Sequence, residues 1–464
     1  MTTPISRESV SRALDDARLS VFHLRAAATA GAGFFTDSYD LNVIGTVVLL
    51  VQPQFRLSSG QTSMLTSSCL LAVAAGAMVF GRLGDRLGRR RVYGLEAVLM
   101  IIGALLSALA PNFTVLVIGR LVLGLGIGGD YPASGVLMTE YANRLNRGRL
   151  VGITFIFYVF GQVSAYLISL LVLAAGVPDD LAWRLILGLG VIPSLLVLYQ
   201  RRHMPESPRW TADRGHAERA MDDLTAYAGR SVPPVADTAG ARASAAGSRR
   251  TRRSPLLVLL GTAGVWFFFN LAVYGNNVSQ PLLIKNIDPD AGVVANTALN
   301  AILVSCFSLI GAVVGLGALD RIPRRLQQIV GLALCALSLS AIGLVPALSA
   351  TTVPFVAVFG ISLLGVAFGP NYTTMLLAAE SFPTPIRSTF HGLSSGIAKI
   401  GAVVGATLIP WLLSEAGLRV ATLVAAASFA AGIALTRLVP ESHRHTLDEA
   451  GGEDLAEPLV GTRN

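Results

Sequence analysis

Gly119–Arg149 runs GRLVLGLGIGGDYPASGVLMTEYANRLNRGR. The stretch begins within an apolar run that carries Arg120. It passes Gly124, Gly126, Gly128 and Gly129, reaches Asp130-Tyr131, and leaves through Glu140 into an arginine-rich turn. Glycines this dense in a buried helix let a neighbouring backbone approach closely. A carboxylate beside them, in hydrocarbon, is costly unless it faces a polar cavity or a partner. The stretch therefore describes a helix lining a pathway, with Asp130 placed to take up and release a proton. The plainer alternative is a packing face with one snorkelling acid near its end.

The rest of the chain has the composition such a helix needs. Of 464 residues, 53% are hydrophobic and 14% charged, and the mean hydropathy is +0.61. A soluble domain carries about 25% charged residues. The formal net charge of +8 comes from arginines in short loops between apolar segments, which is the positive-inside pattern of a membrane protein rather than a nucleic-acid footprint. Cys69, Cys306 and Cys335 lie in apolar segments without metal-ligand spacing, so neither a disulfide framework nor a metal site is expected. The N-terminus is polar through Ser20 and lacks the apolar core of a cleavable signal peptide. No GK[ST] phosphate loop, HExxH or nucleophile triad is present, so an enzyme or an ATP-driven pump is not indicated.

A spanning helix needs about 20 predominantly apolar residues. Such segments begin near Val21, Thr62, Val92, Phe113, Leu150, Trp183, Pro255, Val293, Gln327, Val353, Thr389 and Leu418. The expected fold is therefore an all-α membrane protein of twelve transmembrane helices in two pseudo-symmetric six-helix bundles, over 21–200 and 255–438. Residues 1–20, the linker 201–254 and the tail 439–464 should be cytoplasmic, because the arginines concentrate at 82–91, 144–149, the centre and 321–325. The linker begins with PESPRW and ERAMDDLTAYAGR, suited to short interfacial helices, and continues with the composition of a disordered segment.

The halves repeat one another. GRLGDRLGRRR (81–91) returns as GLGALDRIPRRL (315–326), GGDYPASGVLMTEY (128–141) as FGPNYTTMLLAAES (368–381), and PESPR (205–209) as PESHR (440–444). Asp85 thus matches Asp320, Asp130-Tyr131 match Asn371-Tyr372, and Glu140 matches Glu380. Parallel six-helix halves of this kind place a substrate site at the midplane between them. In the repeated loops, an acid and arginines can pair with a helix end or with each other in one conformation and release in another. The candidates for this latch are Asp85 with Arg89, Glu140 with Arg149, Asp320 with Arg324, and Glu380 with Arg387. The alternative is plain topology charge.

Within the membrane segments a few polar residues stand out. Asp37 and Asp40, three apart, share a helical face, with Asp37 roughly 20 Å along the helix. Two acids so close do not both ionise cheaply, which suits one of them to carry a proton. Glu96, about one turn inside its segment, is either a second protonation point or an interfacial acid paired with the 89–91 arginines. Arg120 is placed to stabilise buried acids or carbonyls. Tyr158, Gln162 and Tyr166 form one stripe, and Trp266, Asn270 and Tyr274 another, each at i, i+4, i+8. A tryptophan–amide–phenol stripe offers hydrogen-bond donors to an oxyanion, although aromatic stripes also serve as packing or interface anchors. Gly369-Pro370 marks a candidate helix break before Asn371-Tyr372. His391 lies near the start of the eleventh segment. Lys399, the only lysine in a spanning segment, lies about 15 Å inside its helix start, too deep to snorkel easily. It is suited to attract an anionic substrate or to pair with a buried acid once the site is empty.

These residues resemble the phosphate:proton symporters of the major facilitator superfamily. The resemblance rests on GFFTDSYDL, GRLGDRLGRRRVYGLE, GLGIGGDYPASG, WFFFNLAVYGNNVSQ, FGPNYTT, ESFPTPIRSTFHG and GIAKIGA, and covers both halves. It implies alternating access and inward transport driven by protons, with no other cofactor. It places substrate contacts at Tyr131, Trp266, Asn270, Tyr274 and Asn371, with Tyr158 and Gln162 nearby. It assigns proton handling to Asp37, Asp40, Glu96 and Asp130, and release or charge balance to Lys399. The implied protein is a monomer of the plasma membrane, of bacterial inner-membrane type, whose partners are a small anion, protons and lipid. Two positions depart from the family pattern. Asn270 stands where an aspartate is usual, and Tyr158 where a glutamine is usual, with Gln162 one turn on. The chain therefore stands more firmly as a transporter than as a phosphate transporter. A small organic acid is the other substrate class, and a phosphate receptor or a drug exporter are further readings.

Overall fold

A computed structural model describes residues 6–228, 254–287, 299 and 302–453. The regular structure of these residues is entirely helical. Helix α1 covers Arg7–Asp15. The first span comprises α2 (Val21–Asn42) and α3 (Ile44–Gln54), followed by α4 (Ser59–Leu87), α5 (Arg89–Ala108), α6 (Phe113–Tyr141) and α7 (Arg147–Ala174). The sixth span comprises α8 (Asp179–Leu189) and α9 (Val191–Arg201), so it runs through a residue that the sequence assigns to the linker. Two short helices, α10 (Pro208–Asp213) and α11 (Ala217–Ala228), occupy the start of the linker, as its composition suggests. Its later part lies outside the described residues.

The second half contains α12 (Pro255–Ile287), a π-helical turn at Val304–Ser308 leading into α13 (Leu309–Ala318), then α14 (Arg324–Leu344), α15 (Thr352–Phe368), α16 (Pro370–Glu380), α17 (Arg387–Glu415) and α18 (Gly417–Thr436). A last short helix, α19, covers Leu447–Gly451. Eleven helical stretches among the described residues are long and apolar enough to cross a bilayer. The start of the expected eighth span, near Val293, lies outside the described residues, and its described part is the shorter apolar helix at 305–318. Leu71, Leu171 and Leu337 are 51%, 68% and 69% exposed, which marks the outer faces as an apolar belt for lipid.

The glycine run of α6 does the packing its spacing implies. A Cβ at Gly124 or Gly128 would lie 2.4 and 2.2 Å from the Cys69 and Val73 carbonyl oxygens of α4. Gly126 faces the Glu96 carbonyl of α5 in the same way. With no aqueous driving force between helices in lipid, such backbone proximity supplies the van der Waals contact that holds them together. A tighter contact of this kind lies in the second half. A Cβ at Gly405 of α17 would lie 1.9 Å from the Leu271 oxygen of α12. Gly405→Val should therefore separate these helices and lower the thermal midpoint of the purified protein by several degrees, consistent with the roughly 1–3 kcal/mol of overpacking. An unchanged midpoint would show that the helices re-pack freely.

The expected break in the tenth span is present. The helix ends at Phe368, Gly369 leaves helical geometry (φ −122°, ψ −83°), and Pro370 opens α16. A carbonyl freed at such a break needs a protein donor at membrane depth. Gln327 of α14 provides it, donating from Nε2 to the Phe368 oxygen at 2.7 Å and to the Gly315 oxygen at 2.9 Å.

Candidate functional site

Between the two halves lies a cavity of about 910 Å³ including its open mouth. All eight residues proposed from sequence to meet substrate line it: Tyr131, Tyr158, Gln162, Trp266, Asn270, Tyr274, Asn371 and Lys399. Tyr158 and Gln162 of the first stripe meet the whole of the second because α7 and α12 come from opposite halves, whereas Tyr166 is not on the lining; Tyr131 enters from the middle of α6 beside Pro132. Asn276 and Asn277 add two amides that the sequence alone does not single out. They follow Tyr274 in YGNN, and they continue the polar face of α12 beyond the stripe.

Lys399 is the only charged residue among the described residues of this lining. It is 3% exposed and donates from Nζ to the hydroxyls of Tyr131 at 3.1 Å and Tyr274 at 2.9 Å. Its ammonium also lies 4.5 and 4.9 Å from the ring centres of those tyrosines, within the range of a cation–π attraction. No carboxylate pairs with it among the described residues. The cavity thus carries one positive charge held by neutral groups.

Asn270 donates from Nδ2 to the Ala398 carbonyl at 3.2 Å. Only the nitrogen can face a carbonyl, so this contact fixes the amide orientation. The side-chain oxygen and one N–H remain for another partner. Tyr158, Gln162 and Tyr166 are all partly buried, and Gln162 donates to the Asn42 oxygen at 3.4 Å.

The acids proposed for proton handling lie outside the cavity lining. Asp37, Asp40, Glu96 and Asp130 are all 0–1% exposed. Neither oxygen of Asp37 has a hydrogen-bond partner among the described residues. Arg120 donates to the Asp40 backbone oxygen at 2.9 Å, the carbonyl role expected of it. Glu96 does not pair with the 89–91 arginines. Its partner is Arg201, from Nη1 at 2.8 Å, and the same guanidinium meets Asp130 from Nη2 at 2.5 Å. The register of α5 explains the correction, since it turns Glu96 into the bundle while Arg90 and Arg91 stay exposed.

At the arginine-rich end the four latch acids are in place, but two partners change. Asp85 accepts from the Ser388 and Thr389 amides at 3.2 and 2.7 Å, capping the first turn of α17 in the other half. Asp320 accepts from the Gly148 and Arg149 amides at 3.0 and 2.9 Å, capping α7. Each acid thus meets the positive end of a helix across the seam. Each also has its arginine one turn on, Arg89 at 3.0 Å from Asp85 and Arg324 at 3.7 Å from Asp320.

Glu140 does not pair with Arg149. It accepts from Arg89 at 3.0 Å and from Arg387 of the other half at 3.1 Å. Glu380 does not pair with Arg387, but with Arg324 at 2.9 Å and Arg147 at 2.5 Å. Helix α7 begins at Arg147, so that residue is buried while Arg149, two positions on, is half-exposed and reaches Asp320 only at 3.8 Å. The repeated PES motifs supply helix caps that the sequence leaves unassigned. Glu206 accepts from the Arg89 amide at 2.9 Å, and Glu441 from the Arg324 and Arg325 amides at 3.1 and 3.0 Å. Burial raises the carboxyls of Glu206 and Asp320 above their ordinary range, against the amides and arginines facing them.

Helices α1 and α19 join the same face. Arg209 of α10 reaches Asp15 at 2.8 Å and Asp448 of α19 at 3.3 Å. Glu453 accepts from the Thr384 amide at 2.5 Å and from Arg387 at 3.1 Å, and also meets Arg7. These contacts close the arginine-rich end of the cavity.

Comparison with known proteins follows the same lines. The model of the sugar (and other) transporter family matches residues 26–452. Inorganic phosphate transporter 1-11 of Oryza sativa subsp. japonica is 32% identical, over 97% of this chain and 91% of that protein. Low affinity inorganic phosphate transporter 4 of Petunia hybrida is also 32% identical, over 96% of this chain and 94% of its own length. Among solved structures, the proton:xylose symporter XylE bound to 6-bromo-6-deoxy-D-glucose superposes with a TM-score of 0.81 at 22% identity, over 93% of this chain and 98% of that one. The inward-open form of the xylose transporter XylE from E. coli superposes less well, at 0.66 with 20% identity, over 93% of this chain and 99% of that one.

Proposed function

This chain belongs to the sugar (and other) transporter family of the major facilitator superfamily, and we propose that within it the protein imports inorganic phosphate together with protons by alternating access. The observation that carries the reading is the lining of the central cavity, where the single charge among the described residues is the ammonium of Lys399, set among neutral amides and phenols. Such a site favours a small anion. A sugar would leave the ammonium without a counter-charge, and burying an unpaired ion is costly. Phosphate is the preferred anion because the relatives at 31–32% identity bear that name along nearly their whole length.

Asn270 fits this substrate in a particular way. Its oxygen accepts one P–OH hydrogen, and Tyr131, Tyr274 and Trp266 offer donors to the P–O oxygens. With no carboxylate on the lining, dihydrogen and monohydrogen phosphate are both admissible. The arginine-rich end faces the cytoplasm, as do both chain ends, and the protein resides in a plasma membrane of bacterial type as a monomer. Protons from outside reach Asp37, Asp40 and Asp130. The anion then occupies the cavity, the halves rock, and the arginine-rich seam opens to release both.

The test is uptake of radiolabelled phosphate into proteoliposomes under an imposed inward proton gradient, with Asn270→Asp beside the wild type. Concentrative uptake by the wild type, abolished by an uncoupler and not by excess small carboxylates, is expected. Asn270→Asp adds a carboxylate near Lys399 and should weaken uptake of the dianion relative to the monoanion, which would steepen the fall in rate above pH 7. Uptake by the variant alone would assign the wild type to another small anion.

A further inference from the structure

We propose that Arg201 is a positioning residue for proton coupling, holding Glu96 and Asp130 in one buried ionic cluster whose excess negative charge a single proton neutralises. The inference rests on the proton-coupled reading above and adds to it a residue that the sequence assigns to the linker.

Three observations carry it. First, the geometry is that of a built cluster and not of a chance pair. Arg201 places Nη1 2.8 Å from Glu96 Oε1 and Nη2 2.5 Å from Asp130 Oδ1, with all three side chains 0% exposed. Ser134 lies 3.2 Å from the same Nη2 and donates to Asp130 at 2.5 Å, and the guanidinium sits 4.1 Å above the Tyr93 ring. Second, the charges do not balance. A guanidinium stays protonated in proteins, so two ionised acids against one arginine leave one negative charge in a low-dielectric interior. Glu96 Oε2 and Asp130 Oδ2 have no hydrogen-bond partner among the described residues and are the oxygens open to a proton.

Third, the backbone of α2 is cut away to admit the pair. A Cβ at Gly33 would lie 2.2 Å from Arg201 Nη2 and 2.4 Å from Asp130 Oδ2. Asp37 follows one helical turn beyond Gly33 on the same face. Its two oxygens are buried and have no hydrogen-bond partner among the described residues. The cluster therefore abuts the unpaired acid of the first span. The other charged groups around that acid are Asp40 and Lys399, and Arg120 is engaged with the Asp40 backbone. A proton entering this group settles on a carboxylate oxygen. Arg201 determines that one of Glu96 and Asp130 remains ionised while the remaining site titrates.

The experiment uses the full chain in four forms: wild type, Arg201→Lys, Arg201→Gln, and Arg201→Gln combined with Glu96→Gln. Phosphate exchange at equal pH requires no net proton movement, whereas uptake driven by a proton gradient does. Arg201→Gln should retain exchange while losing about tenfold in gradient-driven accumulation. Arg201→Lys keeps the charge and should keep most of the coupling. The double variant restores the net charge of the wild-type cluster, so it should accumulate phosphate better than Arg201→Gln alone. A purely structural role predicts the reverse order, because the second substitution would only add damage. Equal coupling in wild type and Arg201→Gln, or no recovery in the double variant, overturns the proposal.

A substrate-free measurement separates this inference from the choice of phosphate. On acidification of the purified protein from pH 10 to 5, Arg201→Gln should take up about one proton more than wild type, since the acid that Arg201 keeps ionised at pH 5 is then protonated as well. Wild type failing to exchange phosphate would refute the substrate, whereas equal proton uptake by the two proteins would refute the role of Arg201. Should Arg201→Gln not fold, Glu96→Gln leaves Arg201 with the single acid Asp130 and should take up about one proton fewer than wild type over the same range; equal uptake would overturn the proposal.

Discussion

Lys399→Ala is expected to abolish concentrative phosphate uptake and to weaken phosphate binding by one to two orders of magnitude. The ammonium is the only charge that the described residues bring to the cavity lining. A hydrogen bond to a charged group contributes about 1.5–3 kcal/mol, and each 1.4 kcal/mol is about tenfold in affinity. Removing the ammonium also leaves the Tyr131 and Tyr274 hydroxyls without the donor they share. Lys399→Gln is the informative companion, because a neutral donor can still bridge the two phenols. If Lys399 attracts the anion, both variants lose binding, measured by equilibrium dialysis of radiolabelled phosphate. If it only props the tyrosines, the glutamine variant binds as wild type does. Lys399→Arg should not rescue fully. A planar guanidinium does not present a compact charge to two phenols in the same geometry.

The second large effect is expected at the seam between the halves. Glu140 is fully buried and receives Arg89 from its own half and Arg387 from the other. Glu140→Gln takes a shared carboxylate from two buried guanidinium groups and leaves each with one acid, Asp85 for Arg89 and Glu453 for Arg387; breaking a buried pair from one side costs about 3–5 kcal/mol. Much of that cost falls only on the closed arrangement, because opening lets water reach the arginines. A shift of that size moves a two-state equilibrium by two to three powers of ten. Distances between spin labels across the arginine-rich end should lengthen into an open population, and gradient-driven uptake should fall at least tenfold. Glu380→Gln should do the same, since Glu380 receives Arg324 and, across the seam, Arg147. Unchanged distances in both variants would mean that the helix caps at Asp85 and Asp320 hold the seam unaided.

Much of this arrangement is legible in the sequence, for identifiable reasons. Apolar segment length and arginine placement are strong membrane signals, and the repeated loop motifs locate the seam by themselves. Side chains spaced four apart on one helix, such as Trp266, Asn270 and Tyr274, must share a face, which makes the stripes readable. A solitary lysine deep in an apolar segment identifies itself. Partner choice is not legible. Whether Arg147 or Arg149 turns inward depends on where α7 begins, a matter of one helical phase. Glu140 and Glu380 take partners from distant helices and across the seam, which local spacing cannot reveal. Arg201 stands in the run Arg201-Arg202, ahead of a polar linker. Only the depth to which α9 carries it shows that one of this pair is buried between two acids and the other exposed. Asn276 and Asn277 do not stand out because a second and third amide add nothing to a period of four.

The grip of the chain ends on the seam has a practical side. Arg7 and Glu453 touch, and Glu453 also fastens Arg387 and the Thr384 turn. Arg7 and Glu453 are thus neighbours in this arrangement, although the two halves that carry them must separate there in every turnover. A pair of fluorophores attached beside Arg7 and Glu453 would act as a built-in ruler of the cycle, and a bulky group placed at either would change the very motion it was meant to report.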